Sequence, residues 1–302
     1  MNSFLKRRAE RVLSSNAFGR VTRHRVRGKR LILAYHGIVP DGEAPAGERA
    51  LFIRQRDFAA HLDVLAEVAD VAPLDEIDEI GDGRPRVAIT FDDAYRGAVR
   101  EGVRELANHR MPATIFVVPG RLNNHVFWWD ALSHGAPEPS PAVREHAILT
   151  LGGIDEGVRA WASSSSTPSS DALPDFSRTA TVDELVEATE HEGITVGSHT
   201  WSHANLASLS AEDIAAEVVR SRDWLTARFA DRAILWLAYP YGLDSASAHL
   251  VLADASYRGA LRIVGGWHGP HEFSPFSRPR LNVPAGLSAD GLRSRLLGAV
   301  LA

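Results

Sequence analysis

Val87-Ala88-Ile89-Thr90-Phe91-Asp92-Asp93 decides the fold. Apolar and β-compatible residues run straight into two adjacent carboxylates. A short, near-continuous apolar run of this kind reads as a buried parallel strand. Parallel sheets and barrels gather their ligands at the carboxyl ends of the strands, which is where Asp92 and Asp93 fall. Successive strand residues point to opposite sides, so the two aspartates need not do the same job. One can bind a cation while the other is held nearby as a base. Taken alone, the pair also reads as an acidic helix start with Asp93 as N-cap.

The same rhythm extends in both directions. Arg30-Leu31-Ile32-Leu33-Ala34-Tyr35-His36 is a second strand-like run, ending on a histidine and broken by Gly37 and Pro40. Apolar spacing predicts helices over residues 57–68 and 96–109, with a strand over 113–118 stopped by Pro119-Gly120. Residues 121–180 break the pattern: Trp128-Trp129-Asp130, a Pro-rich patch and a Ser/Thr/Pro run over 163–170. They read as an irregular insertion with a flexible segment, suited to a lid. Thr181-Val182-Asp183-Glu184 then opens a helix with a capping-box pattern. Ile194-Thr195-Val196-Gly197 is a strand leading into Ser198-His199-Thr200-Trp201-Ser202-His203. A helix capped by Ser210 reaches residue 229, and a strand over 233–238 runs into Tyr239-Pro240-Tyr241-Gly242. A helix over 245–253, strands over 257–264 and 281–283, and a closing helix over 287–301 complete the chain. Strands alternate with helices throughout, which predicts a parallel α/β barrel or a doubly wound sheet.

Composition narrows the function. At 302 residues, 45% hydrophobic and 24% charged, the chain suits one barrel-sized domain over residues 30–302, preceded by a basic leader helix over 1–29. A formal net charge of −5 gives no footing for a nucleic-acid partner. With no cysteine, disulfides and thiolate sites are excluded, so a metal must be held by His, Asp or Glu. No apolar run reaches the roughly 18 residues of a membrane span. The leader (Lys6, Arg7, Arg8, Arg11) lacks the apolar core of a secretory signal. It reads as a solvated helix, with weak contact to an anionic membrane surface as the alternative. A cytoplasmic location is expected.

His199 and His203 stand four apart, on one face of a helix or on a tight loop after a strand. Two histidines and a carboxylate give three ligands and leave positions open. A His pair at this spacing alone is more often not a metal site; Asp93, at the end of a separate strand, strengthens the case. A divalent ion there would activate water and polarise a carbonyl, Asp92 could take the proton, and a second group must protonate the leaving group. His36 is titratable near neutrality and is a candidate; the bland alternative is a buried, hydrogen-bonded histidine. Tyr241 follows Pro240 just past a strand, where a backbone N–H could face an oxyanion, or where the chain simply turns. Trp128, Trp129 and Trp267 could stack on sugar rings or anchor loops.

These motifs resemble the polysaccharide deacetylases, the NodB-homology family (carbohydrate esterase family four). Thr90-Phe91-Asp92-Asp93 is similar to the family's first motif, His199-Thr200-Trp201-Ser202-His203 to its His-(Ser/Thr)-x-x-His, and Tyr239-Pro240-Tyr241-Gly242 to its third. Each motif alone is weak, but the three occur in the family's order over about residues 30–285. The resemblance implies a distorted parallel (β/α) barrel of about seven strands with an irregular insertion. It implies a divalent metal, usually zinc, with cobalt, nickel or manganese as alternatives, held by Asp93, His199 and His203. It implies Asp92 as general base and the Tyr241 N–H in an oxyanion hole. Tyr239, Pro240, Tyr241 and Trp129 are the candidates for contact with the substrate, by their place past strand ends or in the insertion. The reaction would be removal of an N-acetyl group from an amino-sugar saccharide, releasing acetate. An O-acetyl esterase, another amide hydrolase or an impaired carbohydrate-binding homologue are the alternatives.

The sequence departs from the family twice. Ala238 stands where the third motif usually has the arginine that braces the base; Arg280 is the candidate replacement, by its position. The late Leu-x-His that supplies the general acid is absent. Leu33-Ala34-Tyr35-His36 resembles that element moved to the front, as in the permuted branch acting on exported poly-N-acetylglucosamine. His36 is therefore assigned as acid, with His268 and His271 as competitors.

Overall fold

The structure, a computed structural model, describes residues 26–81, 83–133 and 139–297. Most of the expected leader, residues 1–25, lies outside them. The strands are β1 (Arg30–Tyr35), β2 (Gly37–Val39), β3 (Phe52–Arg54), β4 (Asp70–Val71), β5 (Arg86–Phe91), β6 (Ala113–Val117), β7 (Ile194–Ser198), β8 (Ala233–Ala238), β9 (Gly259–Ile263) and β10 (Arg278–Asn282). The helices are α1 (Gln55–Val68), α2 (Val103–His109), α3 (Trp128–Ser133), α4 (Pro141–Glu145), α5 (Asp155–Ser164), α6 (Val182–Glu190), α7 (Ala211–Phe229), α8 (Ala246–Asp254) and α9 (Ala289–Leu296).

Seven parallel strands close a barrel in the order β1-β5-β6-β7-β8-β9-β10, because β1 pairs with both β5 and β10. The short β4 pairs with the start of β5, and β2 and β3 form a separate parallel pair. Strand alternation sorts the side chains. Ile32, Ala88, Phe116, Trp236, Ala238 and Leu261 make one buried cluster, which fills the barrel. Leu31, Leu33, Val87, Ile89 and Phe91 belong to another, packed with Phe58, Leu62 and Leu65 of α1 outside it.

Two segments differ from the sequence-based expectation. The last strand lies earlier, at β10, because Pro279 lacks a ladder donor and interrupts the strand signal. Residues 121–180 are less irregular than expected, holding α3, α4 and α5. These helices have 6, 5 and 10 residues, short enough for their apolar spacing to escape notice. Among the described residues, no helix is long and apolar enough to cross a membrane.

Beside β1, His61 of α1 is fully buried and satisfied as a neutral ring. Its Nε2–H donates to Leu287 O at 3.0 Å, and Nδ1 accepts from Tyr35 Oη at 3.2 Å. Burial lowers its pKa to about 4, against opposing hydrogen-bond and charge effects. The unfolded chain therefore takes up a proton that the folded one refuses as pH falls from about 6.5 to about 4, and stability drops over that window. The expected loss from this group is about 3 kcal/mol. His61→Gln should flatten the fall; urea midpoints measured across pH check it, and an unchanged slope would contradict it.

Candidate active site

At the carboxyl end of β5 the two aspartates separate. Asp92 follows Ala88 and Thr90 in the inward alternation and meets Arg280 of β10 inside the barrel. Arg280 Nη1 donates to Asp92 Oδ1 at 2.7 Å and Nη2 to Oδ2 at 2.8 Å, a two-pronged pair. Nη1 also donates to Thr90 Oγ1 at 3.1 Å, and Thr90 Oγ1 donates to Leu33 O at 2.8 Å. Arg280 is 0% exposed and its guanidinium lies over the Phe116 ring. Burial alone would raise the Asp92 pKa; the Arg280 charge and hydrogen bonds, with the nearby histidines, overcome it and hold the carboxyl well below the usual range.

Asp93 leaves the strand in the left-handed region, φ 70°, which turns its carboxylate toward the loop after β7. That loop is a tight turn, not a helix: Thr200 and His203 have φ 64° and 67°. Glu217 of α7 holds it, accepting the backbone N–H groups of Trp201 and Ser202 at 2.9 Å each and the Ser202 hydroxyl at 2.8 Å. His203 N–H donates to Thr200 Oγ1 at 3.0 Å. His199 Nε2 and His203 Nε2 lie 3.6 and 3.4 Å from Asp93 Oδ1.

These three residues fit a divalent ion. Asp93 Oδ1 is buried with no hydrogen-bond partner, which excludes the N-cap reading for that oxygen and leaves a lone pair unmet. His199 Nδ1–H donates to Ala238 O at 2.7 Å, so its Nε2 faces the site as a free acceptor. One ligand atom from each residue lies within 4.8 Å of the others. Two imidazoles and one carboxylate suit zinc and its first-row neighbours better than calcium or magnesium. Burial pushes Asp93 up to about 6 and His203 down to about 4, so both are held toward their neutral forms.

His36, just past β1, places Nε2 at 3.9 Å from Asp92 Oδ2. Burial lowers its pKa, against the attraction of Asp92 and Asp93. His268 and His271 sit at the other end of the barrel. His268 pairs with Arg30 at the start of β1, and His271 lines a separate cleft with Asp75 and Arg278.

A cavity of about 260 Å³ opens over these groups, lined by His36, Asp92, Asp93, His199, His203, Tyr239 and Tyr241 among others. Tyr241 is also left-handed, φ 59°, and its hydroxyl donates to Gly153 O at 2.9 Å. Tyr239 donates to Phe276 O at 2.9 Å. Pro240, grouped with these two in the sequence reading, is not a lining residue; it is buried and starts the turn. Trp129 lines the cavity with its ring 4.8 Å from that of His203, and its Nε1–H donates to Tyr95 Oη at 2.9 Å. Trp267 lies elsewhere, donating to Arg295 O. Glu217, Glu48, Arg144, Ile263 and Asn282 were not singled out from sequence. Only Glu217 carried a signal, as an acid on the helix that follows the His motif.

Comparison with known proteins agrees with this geometry. Residues 80–260 match the family model described as polysaccharide deacetylase. No curated protein matches the chain. The Streptococcus pyogenes deacetylase PplD, solved in complex with acetate, is 17% identical, with 88% of this chain and 97% of that one covered and a TM-score of 0.61. IcaB from Ammonifex degensii is 17% identical, with coverage of 89% and 97% and a TM-score of 0.64. A de-N-acetylase from Aggregatibacter actinomycetemcomitans is 14% identical, with coverage of 88% and 98% and a TM-score of 0.60. At these identities the solved structures speak for the fold, a NodB-like parallel barrel. The family match spans well over half the chain and contains both aspartates and both histidines, so the chain belongs to the polysaccharide deacetylase family.

Proposed function

We propose that the protein hydrolyses the N-acetyl group of an amino-sugar unit, using a divalent ion held by Asp93, His199 and His203. The observation that carries this reading is the buried Arg280–Asp92 pair beside a carboxylate with no hydrogen-bond partner. One aspartate is held ionised as a base, and the other is left for a cation. When bound, the ion supplies Lewis acidity to the acetamido carbonyl and to water. Asp92 takes a proton from the attacking water as the new C–O bond forms. The backbone N–H of Tyr241 meets the developing oxyanion. The proton Asp92 takes passes to His36 Nε2, 3.9 Å away, which gives it to the departing amine as the C–N bond breaks, leaving acetate, a free amino sugar and both residues as they began. The impaired-homologue reading rests on the missing motif arginine, and the Arg280–Asp92 pair weighs against it.

Acetate release from N-acetylated and O-acetylated saccharides, before and after chelation, tests the reading. N-acetyl substrates should release acetate, stop on chelation and resume with zinc or cobalt. Turnover untouched by exhaustive chelation refutes the metal, and acetate from O-acetyl substrates alone refutes the amide. His36→Ala should keep its metal and lose about 10²–10⁴ in kcat; full turnover would remove His36 from the mechanism.

A further inference from the structure

The walls of the cavity decide what can reach the ligand triad, and they differ around the barrel mouth. On the β5–β8 side, the described residues between β6 and β7 lie across the site and are fastened at both edges. Toward β1 it meets the loop before β3. Asp130 Oδ1 accepts the Glu48 N–H at 2.8 Å, Ser133 Oγ donates to Glu48 Oε2 at 3.2 Å, and Arg144 forms an ion pair with the same oxygen. The approach is so close that a Cβ on Gly47 (φ 67°) would stand 2.5 Å from Asp130 Oδ1. Glu48 is 4% exposed, and the Arg144 side chain, 32% exposed, covers its carboxylate at the rim. Toward β8, Tyr241 donates to Gly153 O, where a Cβ would overlap the tyrosine ring. Asn205 adds bonds to Gly152 O at 2.9 Å and Ile148 O at 3.2 Å. On the opposite side the lining residues are Ile263 and Asn282, the last residues of β9 and β10 themselves.

An internal residue of a polymer needs two exits from a site, one for each neighbour. Here the fastened segment closes one side. The cavity, at about 260 Å³, is also smaller than the roughly 300–1,000 Å³ that holds a drug-sized ligand. We infer that the site takes its amino sugar end-on, as a monosaccharide or as the terminal residue of a chain. The Glu48–Arg144 pair is the specificity-determining closure. This inference rests on the deacetylase reading above.

The test uses the full-length, zinc-loaded protein with N-acetylglucosamine and its end-labelled tetramer. Tandem mass spectrometry locates each free amine, and calorimetry measures binding. The native protein should free one terminal amine per tetramer. Arg144→Ala and Glu48→Gln should raise the internal fraction by about tenfold, a change of position that a merely structural role would not produce. Arg144→Lys, which keeps the ion pair, should stay terminal. Internal amines from the native protein overturn the inference, and terminal products from both open variants overturn the role of the pair. If no probe releases acetate, the deacetylase reading fails and binding decides the end-on mode. Monomer and tetramer affinities within about threefold support it; a tetramer bound more than about tenfold tighter, or no binding of either, overturns it.

Discussion

Asp92→Asn should keep its metal and lose about 10²–10⁴ in turnover, the range carried by a general base, whereas Asp93→Ala should lose metal and activity together. The difference follows from where each carboxylate points. Asp92 is held by Arg280 on both oxygens; an amide keeps the shape and one of the two accepting atoms, and it removes none of the three ligands. Asp93 Oδ1 faces two imidazole nitrogens and has no hydrogen-bond partner. Metal content after gel filtration, measured beside kcat on an N-acetyl substrate, separates the two outcomes. Equal loss of metal in both variants would show that the division of labour is wrong.

Arg280→Met should cost about 3–5 kcal/mol of stability, because it leaves a buried carboxylate without its counter-ion. The kinetic signature is sharper. Burial raises the Asp92 pKa, and Arg280 is the leading influence against it. Without the guanidinium the carboxyl's pKa rises, and a base works only when deprotonated. The acid limb of kcat/KM should therefore shift to higher pH, with activity lost near neutrality and partly regained in alkali. Arg280→Lys keeps the charge but not the two-pronged geometry, so a smaller shift is expected. An unmoved acid limb in both variants would reduce Arg280 to packing. The sign for native stability follows the same pKa. Asp92 is held low, so its contribution is present above about pH 4 and is lost as pH falls further.

Much of this was legible because strands announce their ends. The apolar run before Asp92 and the one before His36 each stop where the side chains become polar, and β5 and β1 stop there too. The His pair was visible as a motif, but not its left-handed turns, which no local pattern specifies. Arg280 could be nominated by position as the brace for Asp92. The two-pronged contact itself could not be read, because β5 and β10 are not adjacent and meet only across the barrel interior. The Glu48–Arg144 contact left no trace either: one residue lies in a loop, the other in a 5-residue helix, and 96 positions separate them. Periodicity reports which face of an element is buried, not which distant loop will fasten to it.

The Asp92–Arg280 pair joins residues 188 positions apart, and the ring between them is closed by β1, the first strand, docking against the last. During synthesis Asp93, His199 and His203 all emerge before Arg280 does, but a single domain folds as a unit. A chain that stops short of β10 therefore lacks both the counter-ion of its base and the strand that closes the ring against β1. Competence arrives with the final strand, so a prematurely terminated chain is switched off by its own incompleteness.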